Sequence, residues 1–216
     1  MTAHVLLINP NSSQATTQMM QGIAQSRAAD GLRIEAVTAT RSPTMITNEA
    51  QLAASVAEVV ELGRAARPDC IGVIVSAYGD PGATELTDVL DIPVIGICEA
   101  SMIDAAQGGR RFGVATVTPD LAEAIERRAA SIGLAGLYTG IRCSPGDPEE
   151  LANDPANLHR ELAAAIRLCI ADGAEAVIIG GGPLGEAADQ LQGQFDVPII
   201  APIRSAVALL TRLIEK

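Results

Sequence analysis

The chain has 216 residues, 48% of them hydrophobic and 19% charged, which describes a globular chain able to bury a sizeable core. A formal charge of −11, with only 15 scattered basic residues, excludes a nucleic-acid surface, since that needs clustered Lys and Arg against phosphates. With aromatics at 2% and no Trp, the core falls to Ala, Val, Ile and Leu, residues suited to helix-on-sheet layers.

In chain order, HVLLIN (4–9) reads as a strand and 13–29 as a helix, then LRIEAVTAT (32–40) as a strand and 49–66 as a helix. CIGVIVSA (70–77) and PVIGIC (93–98) are strands around a helix at 83–90. RFGVAT (111–116), LYTGIRC (137–143), AEAVIIG (174–180) and VPIIA (197–201) continue the strand series, with helices at 119–132, 156–172, 184–194 and 203–214. Fully apolar strands alternating with helices predict parallel sheets covered on both faces, an α/β fold.

Cys70, Cys98, Cys143 and Cys169 have neither CxxC nor Cys/His spacing, so no metal site is expected. The opening MTAHVLLINPNSS lacks a basic n-region, and no apolar run approaches membrane-spanning length. The expectation is a cytoplasmic protein with reduced thiols and no membrane partner.

The halves resemble each other. DIPVIG at 91–96 and DVPIIA at 196–201 are 105 positions apart, and RFGVATVTPD answers HVLLINPNSS as strand, polar turn and helix start. This predicts two pseudosymmetric lobes, 1–98 and 99–202, the first completed by the helix at 203–216, with a ligand cleft between them at the carboxyl ends of the strands.

The strand ends supply the candidates. Asn9 ends the first strand, and Asn11, Ser12 and Ser13 sit where a helix begins, so its free amides can face a carboxylate or imide oxygen; Thr116 and Thr118 hold the matching turn in the second half. Gly181, Gly182 and Pro183, in GGGPLG, leave backbone bare beside the cleft, where amides can converge on an anion. In IVSAYGDPG, Ala77 stands mid-loop, followed by Tyr78 and Asp80. Asp80 reads either as a turn former before Pro81-Gly82 or as a buried general base. Glu99 reads either as a helix cap or as a cleft carboxylate. Neither His4 nor His159 stands at a strand end, so no Ser/His or Cys/His pair forms.

INPNSS, AYGDPG, GICEAS, FGVATVT, GGGPLG and DVPII, taken in this order, resemble the Asp/Glu/hydantoin racemase family, chiefly its hydantoin and allantoin racemase branch, nearly end to end. The resemblance implies two flavodoxin-like lobes, each a mostly parallel four-stranded sheet flanked by helices. It also implies a cofactor-independent enzyme, in a homo-oligomer, acting on a carbon acid beside a carbonyl. It further implies two cysteines on opposite faces of a small-molecule substrate, one removing and one returning a proton. Here those positions are Ala77 and Gly181, or Gly182 in the alternative register. Neither can carry a proton. The expected function is therefore a noncanonical racemase or isomerase acting on a small cyclic amide, lactone or carboxylate, with Asp80, Glu99 and Tyr78 as catalytic candidates. The alternatives are a ring-opening hydrolase with a carboxylate-activated water and a non-catalytic anion-binding protein. The apolar surface of the helix at 203–214 adds to the expectation of an oligomer.

Overall fold

The computed structural model describes residues 3–215, apart from the side chain of Glu186; Met1, Thr2 and Lys216, which the expected lobe boundaries include, lie outside the described residues. β1 (His4–Asn9), β2 (Arg33–Thr38), β3 (Cys70–Val75) and β4 (Val94–Gly96) form one parallel sheet in the order β2-β1-β3-β4. β5 (Phe112–Thr116), β6 (Tyr138–Cys143), β7 (Ala176–Ile179) and β8 (Ile199–Ile200) form a second in the order β6-β5-β7-β8. The second order is the first advanced by four strands, so the internal repeat is a repeat of topology.

Parallel neighbours need crossovers, and helices supply them. These are α1 (Gln14–Gln25), α2 (Glu49–Arg64), α3 (Ala83–Thr87), α4 (Ile97–Ala105), α5 (Ala122–Ser131), α6 (Pro148–Asn153), α7 (Pro155–Ala171), α8 (Gly185–Leu191) and α9 (Pro202–Ile214). Side chains alternate along each strand, so each sheet feeds two layers. Val5 and Leu7 of β1 join Phe112 and Val114 of β5 in a core shared by both lobes. Leu6 and Ile8 turn outward against Val59 of α2 and Leu86 of α3, while Ala115, Val177 and Ile179 turn outward against α7 and α8.

Three expectations change. PVIGIC is not one strand: β4 stops at Gly96 and the buried Ile97 and Cys98 open α4. Between β6 and α7, where the sequence reading names no element, stands α6: Asp147 accepts hydrogen bonds from the amides of Glu149 and Glu150, and Pro148 fixes the first turn. The apolar face of α9 is used within the chain: Ile203, Ala206, Val207 and Leu210 are buried in the shared core, and the helix packs on α4, β3 and β4. That face is thus taken up inside the chain, while Leu213 near the end of the helix stays exposed. Among the described residues no helix is long and apolar enough to cross a membrane.

Candidate active site

The strand-end loops of the two lobes meet. A Cβ placed on Gly180 would lie 3.2 Å from Tyr78 Cε1, and one placed on Gly182 would lie 3.1 Å from the Ser76 carbonyl oxygen. Beside this contact lies a cavity of about 300 Å³, walled by Ser76, Ala77 and Tyr78 from the first lobe and by Gly180 to Leu184 from the second. Asn11 and Thr118 enter from matching turns. Two connections close its sides: Met45 and Ile46 from the β2–α2 loop, and Asn153 and Leu158 from α6 and α7. The β2–α2 loop is held by Glu58, a buried carboxylate that accepts from the amides of Thr40 (2.7 Å) and Arg41 (3.0 Å). Burial raises the proton affinity of Glu58, but these donors outweigh it and hold the group below the ordinary carboxylate range.

Asn11, Ala77, Thr118, Gly181, Gly182, Pro183 and Tyr78 all line this cavity, as the strand-end reading requires. Asn9, Ser12 and Thr116 do not line it. Asn9 and Thr116 are fully buried one step behind, and the Ser12 amide donates to the Pro43 carbonyl at 3.1 Å.

The carboxylates expected in the cleft also stand elsewhere. Asp80, at φ 54°, accepts from the amides of Cys98 and Glu99, each at 2.8 Å, and from Arg128 Nε at 3.0 Å. Its carboxylate therefore caps α4 from a distant loop. Glu99 in the first turn of α4 pairs with the other arm of Arg128. Neither carboxylate lines the cavity. Burial pushes Asp80 up to about 6, against the pull of Arg128 and the two amides. Asp80 and Glu99 thus form a capping cluster with Arg128 of α5, a residue that carried no motif and that composition alone leaves among the surface charges.

Tyr78 lines the cavity, and its hydroxyl meets Ser101, a fully buried residue that does not. Ser101 spends its proton on the Cys98 carbonyl (2.9 Å), so in the 3.4 Å contact between Tyr78 and Ser101 the phenol is the donor. Burial raises this phenol well above its ordinary value, which removes it from acid–base work near neutral pH. Cys98 is likewise buried and raised by desolvation, with the Asp80 charge adding to the effect. None of the four cysteines lines the cavity, so no displaced thiol fills the place beside Ala77 or Gly181.

Two small parallel sheets sharing a core, with the strand ends of both lobes converging on one cavity, define a two-lobed α/β enzyme fold. The chain belongs to the Asp/Glu/Hydantoin racemase family, whose model matches residues 5–210. It is similar to a protein named hydantoin racemase from Pseudomonas sp. (strain NS671), 28% identical over 98% of this chain and 86% of that protein. Another protein of that name, from Rhizobium meliloti, is 29% identical over 98% of this chain and 88% of its own length. Among solved structures, an allantoin racemase from Klebsiella pneumoniae superposes with a TM-score of 0.92 at 26% identity, covering 99% of this chain and 88% of that one. The protein is thus an enzyme of the racemase and isomerase class by family.

Proposed function

We propose that the protein is a noncanonical racemase or isomerase acting on a small, uncharged cyclic amide of the hydantoin type, at the carbon beside a ring carbonyl and without a thiol pair. The observation that carries this reading is the interlobe cavity itself: among the described side chains, those lining it are uncharged. An amino-acid zwitterion or a dicarboxylate would lose its hydration there without a counter-charge. Met19, Met45, Ile46, Leu121, Leu158 and Leu184 offer apolar surface for a ring substituent. The full-length likeness to proteins named hydantoin racemase supports the same substrate class.

A carbon between a carbonyl and an amide nitrogen is a carbon acid, and its enolate is stabilised by donors already aimed at the oxygen. Asn11 supplies a side-chain amide at the cavity wall, and the Ala77 and Gly182 amides form no backbone bond among the described residues. The proton then passes to cavity water and returns from water on the other face. The hydrolytic alternative loses its carboxylates, since Asp80 and Glu99 stand off the cavity. The four free thiols fit a reducing compartment, and we place the activity in the cytoplasm.

The test is to incubate one enantiomer of 5-isobutylhydantoin in D₂O, with and without protein, and follow the 5-proton by NMR together with optical rotation. Protein-dependent exchange with loss of rotation is expected. A new carboxylate signal would turn the reading to hydrolysis, and binding without exchange would leave a small-molecule binding protein.

A further inference from the structure

The hydrogen bonds behind the cavity fix the polarity of two of its walls. In the first lobe the Ser13 amide donates to Asn11 Oδ1 at 2.9 Å, and an amide N–H can only donate, so the orientation of the Asn11 side chain is settled. Asn9 Nδ2 also donates to that oxygen at 2.8 Å, while Asn9 Oδ1 accepts from the Asn11 amide at 3.1 Å. The Asn11 oxygen is therefore engaged from behind. Its NH₂ group meets no acceptor among the described residues and is not enclosed.

In the second lobe Thr116 donates to the Gly180 carbonyl at 2.6 Å. A threonine hydroxyl has one proton, so in the 3.3 Å contact between Thr116 and Thr118 the donor is Thr118. That leaves the oxygen of Thr118, a residue that lines the cavity, with lone pairs only. The matching turns thus present opposite characters: a donor at Asn11 and an acceptor at Thr118.

We infer that the two lobes read opposite characters of one ligand amide edge, Asn11 donating to a ring carbonyl oxygen and Thr118 accepting from a ring N–H, with Asn9 and Thr116 as positioning residues that set those polarities. This rests on the cyclic-amide reading above and adds to it which residue distinguishes N–H from other ring atoms. A lactone, which has no N–H, leaves Thr118 unsatisfied, and a site built to pair such a group discriminates against ligands that lack it.

The experiment is calorimetric binding of 5-isobutylhydantoin and its N1-methyl and N3-methyl derivatives to the wild-type protein and to Thr118→Val, Thr116→Val and Thr116→Ser. One of the two N-methyl compounds is expected to bind the wild type about tenfold or more weakly than the parent, the size of a lost hydrogen bond that strands its partner. Thr118→Val keeps the shape but not the acceptor, so that preference collapses toward unity even though the methyl's bulk is unchanged. Thr116→Val frees the Thr118 proton to point into the cavity and reduces the preference, while Thr116→Ser restores it. A merely structural role would weaken all three ligands alike and leave the ratio untouched. Equal binding of parent and both methyl compounds to the wild type, or a ratio unaltered by Thr118→Val, overturns this inference alone. Failure of every ring to bind the wild type overturns it together with the function it rests on.

Discussion

The two halves of the molecule end their fourth strands differently. After β4, the first amides of α4 bond to Asp80, a carboxylate carried on the loop that follows β3. After β8, α9 begins with Pro202, which has no N–H to satisfy. At the repeat distance that separates Asp91 from Asp196, the partner of Asp80 is Gly185 and the partner of Gly96 is Ala201. Gly96 has no side chain because a Cβ there would fall 2.0 Å from the Asp80 carboxyl carbon; its φ of −87° is open to any residue, so what the position requires is space. One lobe caps the amides of Cys98 and Glu99 with a carboxylate and clears room for it; the other opens its helix with proline where the first has Ile97, and it has glycine where Asp80 stands. Asp80 is therefore a structural feature of one lobe, where a shared catalytic element would be expected to have a counterpart in the other.

The largest effect that would break this comparison is Gly96→Ala. The new methyl meets a carboxylate held by two amides and a guanidinium, and overpacking of that kind costs at least about 3 kcal/mol in unfolding free energy by urea titration. The mirror change, Ala201→Gly, removes a methyl and adds backbone freedom, and should cost about 1 kcal/mol. Equal costs at the two positions would mean that the Asp80 cap is not what distinguishes the lobes.

Next in size is the pH response. The folded chain holds a proton on Asp80 up to about 6, where an unperturbed aspartate releases it near 3.8. Folding thus favours the protonated form, and the stability this group contributes is fully present below the unfolded value and lost as pH rises through the folded one. From pH 4 to pH 7 the stability difference between the wild type and Asp80→Asn should move in the variant's favour, by an amount of order 3 kcal/mol. A difference that stays flat, or moves toward the wild type, would show that Arg128 and the two amides outweigh burial.

How much of this was legible in the sequence follows from the same contrast. Six of the eight strands are plain because parallel strands covered on both faces read as apolar runs, while the edge strands β2 and β6 carry Arg33, Glu35 and Arg142 among their apolar positions; the repeat is plain because its D-x-P turns survive in both halves. The strand-end rule points to the loops after β1, β3, β5 and β7, which wall the cavity, and also to the segment after β4, which does not. It cannot select which side chains of a loop face inward, so Asn11 and Asn9, or Thr118 and Thr116, look equivalent until the fold separates the wall from the layer behind it. Ile97 and Cys98 look like strand because the cap that makes them helical comes from Asp80, far away in the chain. Met45, Ile46 and Leu158 escape notice because they lie in connections or on a helix, away from any strand end.

The smallest structural change carries the sharpest functional contrast between the lobes. Gly181 has φ 163° and ψ 133°, extended backbone open to any side chain, and the atoms nearest a Cβ there belong to the Leu184 side chain, from 3.0 Å. At Gly182 the same atom would come within 2.5 Å of Met20 Sδ and 3.1 Å of the Ser76 backbone oxygen. A second thiol is therefore accommodated at 181 rather than 182, and Ala77→Cys with Gly181→Cys should alter stability by about 1 kcal/mol or less, since Leu184 can yield. The double variant places sulfur on both walls of the cavity, where a thiolate and a thiol can remove and return the substrate proton. Its exchange of the hydantoin 5-proton in D₂O should rise above the wild-type rate and become sensitive to iodoacetamide, while each single variant lacks one of the two groups and gains little. Wild-type exchange should be indifferent to the reagent, because none of its cysteines lines the cavity. If iodoacetamide instead stops the wild-type protein, a native thiol is the proton carrier, and water does not take the place of sulfur in this enzyme.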